Sequence, residues 1–491
     1  MRVSLVNIQL LEGNNIVAPL GLLYVASVLE KHGHTVQAFD VDPEVYNLID
    51  EIKDFKPDVI GLSFLTPEYI RAQKTAKRLK EELPDAVHIA GGVHATIMPT
   101  ETLEEFGLDI IVVGEGEETI VDLCEKLEKG ESIDDVRGIV HKKDGQVVTN
   151  ERREMIKDLD TVPFPSRHLL NFNVYLTPPG VIRGYAKSKI LTMMTSRGCP
   201  YACHYCGSHN LFGRKMRRRS VDNVIAEIDH LIERYDINGL YFCDDLFTRD
   251  HDWVREFCQK VKDRGIVWAC QSRVDTINEE LMRDMKAAGC IQIDFGVENG
   301  SPRVLKALNK TIKIPDAKKV FKMAKRVKIR ALATFMIGNP EETLEDLQQT
   351  FDLAKELDAD YTIFYYTTPY PGTKVYEMAR ENEWIPKDAY FSEAWSHRQQ
   401  EVPLMEINFT GVELMKHRSK MQNHFFVKNY FVWNNLGFYS ELFLTMLKHP
   451  AVLYQMITTL IRTKRSEVIG ELLFKQYNLD KYEWFDKQRD F

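Results

Sequence analysis

Long apolar runs are missing from this 491-residue chain, and none reaches the length needed to cross a bilayer. Its start, MRVSLVNIQLLEG, carries one base and then an acid by residue 12, so it does not read as a secretory leader and a cytoplasmic protein is expected. Cysteine is sparse, and eight in 491 residues exclude a disulfide-stapled scaffold. Positive charge is in deficit as well. The 64 Lys and Arg against 72 Asp and Glu leave a net charge of −8, which excludes nucleic-acid binding by charge alone. No GxGxxG opens the first helix and no Walker A loop is present, which disfavours a dinucleotide or nucleoside triphosphate site. What remains, 44 % apolar and 28 % charged residues, is the composition of a globular chain of roughly two to four domains.

Strand and helix patterns alternate through residues 1–150. Short β-rich runs at 2–9, 35–40, 59–64, 87–90 and 110–113 are separated by helical spacing at 19–32, 44–55, 69–83 and 117–128. Such alternation predicts an α/β unit, a doubly wound Rossmann-like parallel sheet with helices on both faces. Parallel sheets bind ligands beyond the carboxyl ends of their strands. The residues there are small or polar: Ser63 and Thr66; Gly91, Gly92 and His94; Gly114, Glu115 and Gly116. They are candidate cofactor contacts, although the glycines also suit plain tight turns. Residues 151–187, with prolines at 163, 165, 178 and 179, read as an extended linker.

A β-rich run at 190–195 leads into Cys199, Cys203 and Cys206, spaced C-x₃-C-x₂-C. Soft thiolates select zinc or iron–sulfur centres, and three of them can hold three irons of a [4Fe–4S] cube while leaving the fourth open. A structural zinc site needs a fourth protein ligand, for which His204 or His209 is available. From 220 to 366 strand and helix alternate again, which predicts a partial (β/α)₆ barrel over residues 188–390. Asp244, Asp245, Arg273, Glu298 and Asn299 each follow a predicted strand, where barrel sites are built, although rim charges that pair with each other would look the same.

These segments resemble a known family. APLGLLYVASVLEKHGHTV, GGVHATIMPTETL and VVGEGEETIVDL are similar to the cobalamin-binding domain fused to many radical S-adenosylmethionine (SAM) enzymes. The cysteine motif, with Tyr205 before its last cysteine, and TTPYPGTKVY at 367–376 resemble the radical SAM barrel. The resemblance spans roughly residues 1–385 and implies a [4Fe–4S] cluster, SAM and cobalamin as cofactors. It places Asp244 and Asp245 at the SAM amino group, although family members often carry Gly-Gly-Glu there. It places Arg273 at the SAM carboxylate and Glu298 at its ribose. The Asp-x-His-x-x-Gly motif that gives cobalt a histidine ligand in methionine synthase is absent, so a lower face without histidine is implied.

The resemblance is to the branch with methyltransferases of unactivated carbon and the anaerobic magnesium-protoporphyrin ester cyclase. A methyltransferase is expected, and a cyclase, C–C bond-forming or oxidative enzyme is the alternative. A corrinoid- or zinc-binding module without turnover is the third reading. An electron donor such as ferredoxin or flavodoxin is implied. Residues 391–491 read as a helical C-terminal domain, with eight aromatics between 422 and 444. A cap over the open side of the barrel is one reading. A greasy-substrate tunnel or a peripheral membrane surface is the other, and with it comes a small hydrophobic substrate: a lipid, isoprenoid or tetrapyrrole. No residue is singled out as catalytic.

Overall fold

A computed structural model describes residues 1–8, 17–41, 48–176, 182, 189–386 and 402–430, together with Leu447, Pro450, Tyr454 and Thr458. The first unit alternates strand and helix as expected, with two short helices after its fourth strand that the sequence reading did not single out. Its strands are β1 (Arg2–Ile8), β2 (Thr35–Val41), β3 (Val59–Ser63), β4 (Val87–Gly91) and β5 (Ile110–Val112). The helices between them are α1 (Leu20–Lys31), α2 (Ile49–Phe55), α3 (Tyr69–Glu82), α4 (Gly92–Ile97) and α5 (Pro99–Phe106), and α6 (Glu117–Lys129) follows. The sheet runs β2-β1-β3-β4-β5 in parallel. A hairpin that the sequence reading did not single out, β6 (Ile139–Lys143) and β7 (Gln146–Thr149), extends it antiparallel. Val3, Leu5, Val6 and Ile8 are buried because both faces of a parallel sheet are covered.

The second unit is an open barrel. Six parallel strands stand in the order β15-β14-β13-β12-β11-β8. They are β8 (Ile190–Met193), β11 (Gly239–Phe242), β12 (Val267–Ser272), β13 (Cys290–Glu298), β14 (Arg330–Ile337) and β15 (Tyr361–Tyr366). A small ribbon, β9 (Ser196–Arg197) with β10 (Arg217–Arg218), and the short helix α7 (Ser208–Phe212) frame the cysteine loop. The outer helices are α8 (Val221–Tyr235), α9 (His251–Val261), α10 (Glu279–Ala287), α11 (Pro302–Ala307), α12 (Ile314–Val327), α13 (Leu344–Leu357) and α14 (Lys374–Glu381). Ser220 caps α8 by accepting from the Asn223 N–H, as its position before the apolar spacing predicts.

A final helix, α15 (Gly411–Tyr430), lies along the edge strand β15. Gln422 accepts from Phe364 N–H and donates to Thr362 O, while Arg418 Nε donates to Phe364 O. Side chains thus satisfy the open edge that a sheet cannot leave bare. This part of the C-terminal segment is therefore a cap. The Pro178–Gly180 turn and the aromatics from 431 onward lie outside the described residues. Among the described residues no helix is long and apolar enough to cross a membrane.

One apolar core runs through both units. It joins Leu22, Leu23 and Leu123 of the first unit to Ile228, Leu240 and Trp268 of the second, with Phe172 and Tyr175 of the linker between. A buried triad fastens the same seam: Glu227 takes Arg167 at 2.6 Å and Arg219 at 2.5 Å.

Candidate functional site

Two cavities open at the carboxyl ends of the two sheets. The first lies over β1, β3, β4 and β5. Ser63, Gly91, Gly92, Gly114, Glu115 and Gly116 all line it. Its floor is Gly61, inside β3, where an added Cβ would stand 2.9 Å from Leu5 Cδ2. A glycine within a strand marks a place where something approaches the backbone closely. Val25, Val112 and Ile120 make the walls apolar, and the far wall comes from the barrel unit through Met194, Leu211 and Phe212. Apolar walls over a glycine-lined sheet end fit an apolar part of a corrinoid.

Two expected contacts stand elsewhere. Thr66 and His94 do not line the cavity. The His94 ring is turned into a separate apolar cluster on the other face of the first sheet, against Phe64 and Tyr69, with its Nδ1 3.0 Å from Thr66 Oγ1. Burial holds its pKa down to about 4, so the ring is neutral at pH 7. The cause is α4, which starts directly at the end of β4 and carries residue 94 under the sheet end.

The second cavity lies at the mouth of the barrel, and Cys199, Cys203 and Cys206 all face it. Among the described residues, no three His, Cys, Asp or Glu side chains converge on a single ion. His204 Nδ1 bonds Ala307 O at 2.8 Å and His209 Nδ1 bonds Cys206 O at 3.1 Å, so both rings are tied to the backbone. Neither ring lines the cavity, so the zinc reading lacks there the histidine ligand that the sequence offered. Three thiols around one cavity are instead the donor set of an iron–sulfur cube with a free corner. Burial pushes the Cys206 thiol up to about 11, a cost that bound iron would remove.

Around the cysteines the expected residues divide. Asp245 faces the cavity, with Ser208 donating to it, and burial raises its pKa. Asp244 does not face it. It is 1 % exposed and accepts from Thr195 N at 3.0 Å, Thr195 Oγ1 at 2.8 Å and Ser196 Oγ at 2.5 Å. Its carboxylate fastens the exit of β8 to that of β11 and is not free for SAM.

Arg273 reaches the cavity but is forked onto Asp275 at 2.9 and 2.8 Å and stacked 3.5 Å over Tyr201. Its Nη1 is 3.9 Å from Cys203 Sγ. Glu298 ends β13 in a left-handed conformation, φ +67, at a shift in strand register. Its Oε1 accepts from Tyr205 Oη at 2.9 Å and from Lys310 Nζ at 2.8 Å. Lys310 was not expected from sequence, nor was a deeper polar layer in the same cavity. There Asp294 accepts from Tyr241 Oη and Gln292 Nε2, each at 2.8 Å, and Gln271 Nε2 donates to Tyr241 Oη at 3.1 Å. Burial raises Asp294 to about 6. Leu332 and Ile363 face the same space.

A buried ionic cluster borders the first cavity and ties it to the ribbon that frames the cysteine loop. Arg197 Nη1 meets Glu115 Oε1 at 2.8 Å and Nη2 meets Glu117 Oε1 at 2.6 Å, while Arg217 Nη1 meets Glu115 Oε2 at 2.6 Å.

Comparison with known proteins agrees with this layout. Residues 8–124 match a model of the B12 binding domain, and residues 193–354 match the radical SAM superfamily. The chain is 34 % identical to an uncharacterized methyltransferase of Pyrococcus horikoshii, over 84 % of this chain and 88 % of that one. It is 29 % identical to the anaerobic magnesium-protoporphyrin IX monomethyl ester cyclase of Rubrivivax gelatinosus, over 73 % and 66 %. Its fold matches the cobalamin-dependent SAM radical enzyme OxsB with aqua-cobalamin and SAM bound. The TM-score is 0.70 and the identity 18 %, over 100 % of this chain and 80 % of that one.

Proposed function

This chain belongs to the family of cobalamin-dependent radical SAM methyltransferases; within it, we propose, the protein methylates an unactivated carbon of a hydrophobic metabolite, a lipid, isoprenoid or tetrapyrrole. The observation that carries this reading is the pair of cavities at the two sheet ends, one of them lined by the three cysteines. Cys199, Cys203 and Cys206 would hold three irons of the cluster. Asp245, Arg273, Tyr205 and Glu298 offer a carboxylate, a guanidinium, an aromatic ring and a second carboxylate around SAM. The Gly61, Gly91–Gly92 and Gly114–Gly116 slot would hold the corrinoid. Loaded in this way, the cofactors supply reductive sulfonium cleavage, hydrogen-atom abstraction and a transferable methyl group.

The chain's own residues bind, orient and exclude water. Leu332 and Ile363 present apolar surface to a carbon skeleton. Tyr241, Gln271 and Asp294 can hold one polar group of the substrate, which fixes the carbon that faces the reactive atoms. Tyr205, Lys310 and Glu298 hold one another, so the Glu298 carboxylate keeps its direction before SAM arrives. An external one-electron donor such as ferredoxin or flavodoxin completes the proposal. A second reading, ring closure or oxidation without methyl transfer, is favoured by the 29 % identity to the cyclase.

Anaerobic reconstitution with iron, sulfide and cobalamin tests this. Four irons and one corrinoid per chain, dithionite-driven 5′-deoxyadenosine, and a lipid or pigment that gains one CH₂ only in cells carrying the gene are expected. A product without added mass selects the second reading, and one zinc with no SAM cleavage refutes both.

A further inference from the structure

The ribbon that introduces the cluster also grips the corrinoid slot. Arg197 lies two residues before Cys199. Its side chain is 7 % exposed and its guanidinium sits 5.2 Å from the Tyr24 ring and 5.8 Å from that of Phe212. Both its carboxylate partners, Glu115 and Glu117, come from the turn after β5 and the first residue of α6, and all three line the slot. Glu115 has no spare direction to move in. It also takes Arg217 Nη1 and the Ile156 N–H at 2.9 Å. Nor is there slack between Arg197 and the cysteines. Gly198 has φ +89, and a Cβ there would meet Lys215 O at 2.6 Å. Two arginines and two glutamates make the cluster neutral, and buried paired charges of this kind specify geometry more surely than they add stability.

We infer that Arg197 is a positioning residue that sets the separation and tilt of the corrinoid relative to the iron–sulfur cluster. The inference rests on the proposed function, since both cofactors must be present for the spacing to matter. Arg217 holds the same turn from the other strand of the ribbon. Its neighbours face elsewhere: Arg218 lies over the Trp253 ring at 4.4 Å, and Arg219 pairs with Glu227. Of the three consecutive arginines, only Arg217 shares the task.

Full-length protein carrying cluster and cobalamin is reduced with dithionite, and the dipolar coupling between the reduced cluster and cob(II)alamin is read by pulsed electron paramagnetic resonance. Wild-type protein should give one narrow distance distribution. Arg197→Met should broaden it about twofold or more. Arg197→Lys should fall between, because an ammonium cannot fork onto two carboxylates. Should Arg197→Met fail to fold, Arg197→Lys and Glu117→Gln decide the matter. An unchanged distribution in cofactor-loaded variants overturns the inference, because a merely structural role would lower stability and leave the distance alone. Wild-type protein that takes up no cobalamin refutes the proposed function, and this inference with it.

Discussion

Lys310 is a lysine at 6 % exposure whose nearest partners are one carboxylate and one phenol. Replacing it with Met would leave Glu298 a buried anion with only the Tyr205 hydroxyl. Breaking such a pair costs about 3–5 kcal/mol, so urea unfolding of Lys310→Met should show a loss of that order. Asp294 predicts an opposite sign. Its folded pKa, about 6, stands above the usual 3.8, so between about pH 4 and 6 the native state holds more protons than the unfolded one. Its contribution to stability falls as pH rises through that window, by about 3 kcal/mol for two pKa units. Asp294→Asn should therefore be more stable relative to wild type at pH 7 than at pH 4, as measured by urea unfolding at each pH. An equal difference at both would refute it. Some of this was readable in the letters. In GLYFCDD, Tyr241 and Asp245 share one strand parity and Phe242 and Asp244 the other, so parity alone separates the cavity aspartate from the buried one. The same alternation exposes Asp294, Gly296 and Glu298 as an inward row. Lys310 had no such signal, since a lysine after a helix end reads as solvated charge.

At the scale of elements, most strands and helices of both units followed from apolar period and from stops such as Gly33 and Gly289, whereas α4 and α5 were not read between β4 and β5. The β6–β7 hairpin escaped notice because its outer strand alternates weakly and is half exposed. The capping of β15 by α15 was equally hidden, since it rests on two polar side chains of a helix reaching backbone 54 to 60 residues away. Gln422→Ala should remove the bonds that Phe364 N–H and Thr362 O make to this side chain, a loss of about 1–3 kcal/mol, with greater self-association by light scattering. In β3, Gly61→Leu should fill the corrinoid slot. Cobalamin per chain, read by absorbance, is expected to fall about tenfold or more while iron per chain stays at the wild-type value.

The molecule as a whole is knit by its shared core and by the Arg167–Glu227–Arg219 seam. A chain so joined should melt as one cooperative body, so calorimetry of the cofactor-free protein is expected to show one endotherm. Two well-separated endotherms would mean that the seam carries little energy. The common core also restricts how such an enzyme can diversify. Because the slot's far wall is Met194, Leu211 and Phe212, while its near wall belongs to the first sheet, neither half contains the whole cavity proposed for the corrinoid. Exchanging the amino-terminal half for that of a relative would cut the pocket in two, and a working chimera would have to carry the ribbon and its arginines along with the graft.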